Sequence, residues 1–180
     1  MKDSTKKYLK VSLTLAGICA VSALAIGGVN LLTSDTIKAN EKAEVDKGLR
    51  NIYPDATFSD TVEVKDEKNA DIVSYWIATE NEEERGYIFK ASGSNSYGGL
   101  TILIGISGEA TAAKLGTIYL VSSEQTRTDF IDKYIAPYNS GNDKETAIDS
   151  VKCGATYAAT LIQTMAKEAK SVYETTKGAK

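Results

Sequence analysis

The stretch from Leu100 to Ser107 reads LTILIGIS, and it decides the fold. β-branched residues dominate it, and apolar side chains fall at both odd and even positions. A strand with that pattern is covered on both faces and belongs in the middle of a sheet. On its N-terminal side, Gly86 to Ala91 (GYIFKA) and Ile72 to Thr79 (IVSYWIAT) carry the same enrichment in branched and aromatic residues. On its C-terminal side, Lys114 to Val121 (KLGTIYLV) does so again. The links are short. Asn81 to Arg85 (NEEER) and Ser92 to Ser96 (SGSNS) read as turns, and Gly108-Glu109 turns the chain once more. Four strands joined this closely imply an antiparallel meander.

Helical periodicity lies further out. From Thr156 to Thr175, Ala158, Leu161, Ile162, Met165, Ala169 and Val172 make one apolar stripe, with Lys167, Glu168, Lys170 and Glu174 off it. Arg127 to Tyr134 reads as a short helix ended by Pro137, with a loop over Asn139 to Asp143. Thr36 to Asn51 is charged and free of Pro, a polar helix with Ser34 or Asp35 as N-cap and Tyr53-Pro54-Asp55 as its end. Asp60 to Ala70 reads as a loop or a short edge strand. The expected class is α+β: a small antiparallel sheet packed with helices, after an N-terminal transmembrane helix.

That first helix is Val11 to Leu32, about 22 residues without a charge. It is long enough to cross a hydrocarbon core of roughly 30 Å. Lys2, Lys6, Lys7 and Lys10 precede it against Asp3 alone, so the positive-inside rule puts the N-terminus in the cytoplasm and the rest outside. Ala20, Ala23 and Ala25 offer small residues for signal cleavage, but the run continues through Val29, Leu31 and Leu32, which favours a retained anchor. A lipoprotein signal needs a small residue before Cys19, where Ile18 stands.

Composition narrows the chemistry. The chain has 180 residues and a net charge of -3, which argues against nucleic-acid binding. It has no His, the commonest general base and transition-metal ligand. Its two cysteines, Cys19 and Cys153, sit in the apolar run and near the C-terminus and cannot reasonably pair. No metal site and no catalytic residue are expected. With neither His nor a Gly-x-Ser-x-Gly elbow, a hydrolase has little support. Redox chemistry, if present, needs a bound organic cofactor. Glu82-Glu83-Glu84 reads as a solvated turn, and Trp76 as core.

One segment carries a ligand signal. Cys153-Gly154-Ala155-Thr156 directly precedes the long helix. Small residues let a ligand approach the backbone. The first N–H groups of the helix lack intrahelical partners and favour a phosphate. On these grounds alone Thr156 equally suits a helix N-cap, and Cys153 a small buried residue.

Cys153-Gly154-Ala155-Thr156-Tyr157 resembles the Ser/Thr/Cys-Gly-Ala-Thr signature of the FMN-binding domain family, which includes the G-type component of the Rnf electron transport complex and the C-type component of the sodium-pumping NADH:quinone reductase. Val29 to Thr33 with Ile37 resembles the end of that family's anchor. Tyr97-Gly98-Gly99 resembles its strand pair beside the flavin. Ser123-Glu124-Gln125-Thr126 stands where Glu-Thr-Pro-Gly is usual. Two positions depart from the pattern: Arg127-Thr128-Asp129 replaces the usual Pro-Gly-Leu-Gly, and Ser150 holds a place often taken by Asp, with Asp149 one position off.

The resemblance implies FMN bonded to Thr156 through a phosphoester, installed outside the membrane by a flavin transferase with FAD as donor. It implies cofactor contacts at Cys153, Gly154, Ala155, Tyr157, Tyr97, Gly98, Gly99, Glu124, Gln125 and Thr126. Tyr97-Gly98-Gly99 also reads as a plain hairpin turn, and Glu124 to Thr126 as a turn with a helix cap. The expected layout is a cytoplasmic segment 1–10, an anchor 11–32, a membrane-proximal helix and linker 33–70, and an FMN-binding domain 71–180. The implied function is electron transfer beside the other membrane subunits of an Rnf-type complex. The alternatives are a stand-alone FMN-binding protein in extracellular electron transfer and a cofactor-free membrane-anchored binding or scaffold domain.

Overall fold

The computed structural model describes residues 2–66, 68–126, 128–150 and 153–179. The chain divides into two compact units, 1–42 and 43–180. The first is helical throughout its described residues. It forms most of α1, which runs Lys2–Ile52 and contains the one stretch among the described residues long and apolar enough to cross a membrane. Leu9, Leu13, Val21, Leu24, Leu31 and Leu32 are all exposed in this unit, as a lipid-facing helix requires. The expected break at Ser34 or Asp35 is absent: both lie inside α1 and cap nothing. The segment contains no Pro, so nothing in the backbone compels an end there.

The second unit is the α+β fold. Strands β1 (Thr57–Phe58) and β2 (Val62–Glu63) both pair with β3 (Ile72–Glu80). From β3 the sheet runs through β4 (Glu83–Asn95) and β5 (Gly98–Ser107) to β6 (Lys114–Ser123), antiparallel throughout. LTILIGIS is central, between β4 and β6. Alternation sorts its side chains. Ile102, Ile104 and Ile106 face a helical layer, while Leu103 faces the opposite side with Ile88, Trp76 and Val121.

The turns are tighter than expected. β3 and β4 are joined by Asn81 and Glu82 alone, both at positive φ (51° and 66°), which matches the twist of a two-residue hairpin. Glu83 to Arg85 therefore belong to β4, and so do Ser92 to Asn95. Ser96 and Tyr97 form the next turn, and Gly98 pairs with Asn95. Tyr97 N–H donates to Asn95 Oδ1 at 2.8 Å.

Three helices cover one face: α2 (Thr128–Ser140), α3 (Lys144–Ser150) and α4 (Thr156–Gly178). Pro137 lies within α2 and does not end it. So near the C-terminus it removes one ladder bond and spares the earlier turns. Arg127, expected at the start of this helix, lies outside the described residues. α3 was not expected; Asp143 caps it by accepting from the N–H groups of Glu145 and Thr146. On α4 the apolar stripe is buried apart from half-buried Leu161, and Tyr173 meets Tyr87 edge to face at 5.1 Å. The other face of the sheet receives the last turns of α1, with Val45 and Leu49 against Ile88 and Leu103.

The first half of the open border of β6, from Leu115 to Ile118, is covered by side chains. Asn139 imitates a neighbouring strand: its Oδ1 accepts from Ile118 N–H at 2.9 Å and its Nδ2 donates to the Ile118 carbonyl at 2.8 Å. The Tyr138 hydroxyl donates to the Gly116 carbonyl, and Glu145 accepts from Leu115 N–H.

Candidate functional site

The site forms where the start of α4 meets the β4–β5 hairpin and the segment after β6. A cavity of about 410 Å³ opens there, within the usual range for small-molecule sites. Its aromatic walls are Tyr97, Phe130 and Tyr157, and its remaining lining is Gln125, Thr126 and the run Gly154 to Ala158. None of these described lining residues is charged. The positive end of the helix is an electrostatic feature of the wall.

That helix is 23 residues long, and it starts without a side-chain cap. Its N-cap is Ala155, a poor residue for the role. Thr156 is the first helical residue, so the N-cap reading of Thr156 does not describe its position. Its side chain is exposed and lines the cavity. The first ladder bond runs from Ala159 N–H to the Ala155 carbonyl at 3.0 Å. The N–H groups of Thr156, Tyr157 and Ala158 thus have no partner within the helix and sit at its positive end. An uncapped positive helix end beside a free-standing hydroxyl is suited to holding a phosphate.

The end of α3 is held by buried hydrogen bonds. Tyr134 is fully buried, and its hydroxyl donates to the Ile148 carbonyl, which also accepts from Gln163 Nε2 at 2.9 Å. Burial pushes the Tyr134 phenol up to about 12. These bonds fix the end of α3. Asp149, one residue off the place where the resemblance puts an Asp, pairs with Lys167 at 3.0 Å. Gly154 is needed on steric grounds: a Cβ there would come 2.4 Å from Phe130 Cε1.

The hairpin side is equally constrained. Glu124 N–H donates to the Gly99 carbonyl at 2.9 Å, and Gly99 N–H donates to the Glu124 carboxylate at 3.2 Å. Gly98 has φ +125°, and a Cβ there would crowd the Glu124 backbone at 3.1 Å. This clamp brings Tyr97 to the cavity mouth, 59% exposed, with its ring 5.5 Å from that of Tyr157.

Of the residues singled out from sequence, the fold brings Thr156, Gly154, Ala155, Tyr157, Tyr97, Gln125 and Thr126 into one wall. Gly98, Gly99 and Glu124 stand behind it as the clamp. Cys153 also stands outside the lining: its thiol points to the Ala155 carbonyl at 3.7 Å and packs against the core. Phe130 and Ala158 join the wall without having been singled out as site residues. Ala158 belongs to the helical stripe and reads from sequence only as core, whereas Phe130 has no motif to mark it.

Comparison with known families bears on the N-terminal part. Residues 1–52 match the model described as the RnfG N-terminal region. No curated protein matches the chain. This match takes in the one helix among the described residues that is long and apolar enough to cross a membrane, and through it the chain resembles the G-type component of the Rnf complex, a flavin-associated family.

Proposed function

We propose that this chain is the G-type component of an Rnf-type electron transport complex, an extracytoplasmic carrier holding FMN on Thr156 Oγ1 through a phosphoester. The observation that carries the reading is the position of Thr156: an exposed hydroxyl on the first residue of an uncapped helix, opening into an aromatic-walled cavity. The free N–H groups of Thr156, Tyr157 and Ala158 would hold the phosphate. Tyr97, Phe130 and Tyr157 offer apolar faces to a flat ring, and Gly154 leaves room for Phe130.

FMN, when bound, supplies reversible acceptance of electrons; the chain supplies position and surroundings. The covalent bond keeps the cofactor from diffusing away outside the cell. With no His in the chain and no charged group among the described lining residues, Thr156 has no evident base to activate it. Attachment falls to a flavin transferase using FAD. The lysines before the apolar run support a cytoplasmic N-terminus, and the match over 1–52 supports assembly with the other membrane subunits.

Co-expression with a flavin transferase tests the reading. The denatured protein should fluoresce as a flavin band in a gel, and Thr156→Ala should abolish the band. Fluorescence surviving in Thr156→Ala refutes the assignment. A native mass equal to the polypeptide alone favours a cofactor-free binding domain.

A further inference from the structure

Gln125 is the buried polar side chain of the cavity wall, only 8% exposed. Its main chain is fixed, because its N–H donates to Ser123 Oγ at 3.1 Å and its neighbour Glu124 is clamped to Gly99. Its amide is much less committed. Nε2 reaches the Gly98 carbonyl at 3.5 Å, the outer limit of a hydrogen bond. A carboxamide carries two donors and a carbonyl acceptor, and this one long bond leaves most of that capacity unused. Gln125 lines the cavity, so that unused capacity lies at its wall.

A flavin ring matches that capacity on one side only. Its dimethylbenzene end is apolar, while its dioxopyrimidine edge presents an N3–H between two carbonyls. A carboxamide offers the complementary acceptor and donor side by side. The phosphate end is already assigned to Thr156 and the helix terminus, and the aromatic walls offer faces with no matching pair of donor and acceptor. Resting on the reading that this cavity takes flavin, we infer that Gln125 is the specificity residue that recognises the dioxopyrimidine edge, accepting from N3–H and donating to an adjacent ring carbonyl.

The test uses the full-length Thr156→Ala chain in detergent, titrated with riboflavin and with N3-methylriboflavin by flavin fluorescence. Riboflavin should bind about tenfold more tightly, the weight of one buried hydrogen bond. Adding Gln125→Leu should erase the preference. Equal affinity for the two ligands overturns the inference, and so does the absence of riboflavin binding. The comparison of the two ligands stands even if the Gln125→Leu chain misfolds. The outcomes also separate the two readings. A chain that discriminates at N3 but never acquires covalent FMN keeps this inference and defeats attachment at Thr156. Covalent FMN without N3 discrimination does the reverse.

Discussion

Gly154 and Phe130 compete for one space. Replacing a glycine by alanine at an unstrained position gains about 0.4–1 kcal/mol by restricting the unfolded chain. Here the added methyl would meet an aromatic ring at 2.4 Å, and overpacking of that kind costs about 1–3 kcal/mol. The clash should win. Gly154→Ala is expected to lose roughly 1 kcal/mol in urea unfolding and, by displacing Phe130, to lower riboflavin binding. Tyr134 gives a pH prediction. Below pH about 10 an unfolded tyrosine is neutral and its burial brings no penalty. Above that the unfolded chain ionises while folded Tyr134 does not until about 12. Stability should therefore fall as pH rises through this window, by an amount on the order of 2 kcal/mol. Buried Tyr138 is shifted in the same direction. Tyr134→Phe should make the alkaline limb shallower and cost about 1 kcal/mol at neutral pH, since Gln163 still serves the Ile148 carbonyl. Urea titrations at pH 8 and pH 11.5 measure both effects. At this scale Thr156, Gly154, Ala155 and Tyr157 were legible because they are contiguous before a periodic helix. Phe130 was not, since it joins them through the packing of α2 against α4.

Among the elements, α1 supplies a reversal of the usual helix rule. Alanine for glycine inside a helix normally stabilises by about 1 kcal/mol. At Gly48 the new Cβ would lie 2.6 Å from both Leu103 Cδ1 and Tyr119 Cδ1. Gly48→Ala should lift the end of α1 from the sheet and destabilise the protein by about 1 kcal/mol net, read as a lower urea midpoint with an unchanged slope. The four long strands were legible from their branched and aromatic residues, but their ends were not, and two-residue β1 carries too little pattern to be seen. Glu83 to Arg85 and Ser92 to Asn95 are polar because they occupy hairpin ends that project into solvent. Polarity alone could not separate them from turns. α3 escaped because a seven-residue helix with one buried residue, Ile148, carries too little periodicity.

For the whole molecule, the boundary at Ala43 makes a prediction about truncation. A chain starting at Ala43 keeps Val45 and Leu49 on the sheet and should be soluble, with a single cooperative unfolding transition. A chain starting after Ile52 uncovers Trp76, Ile88, Leu103 and Val121. At about 1.5–3 kcal/mol for each large side chain, that loss is comparable with the 5–15 kcal/mol that holds a typical domain together. This shorter chain should aggregate, as size-exclusion chromatography would report. The two-sided cover of the sheet was legible in LTILIGIS, although the identity of the covering helix was not. The border of β6 has a separate meaning for assembly. An unpaired strand usually invites another chain to extend the sheet. Here Asn139, Tyr138 and Glu145 already occupy the sockets such a visitor would use. Stacking of copies along that stretch of the border is thus hindered from within, because a visiting strand would first have to displace these three side chains.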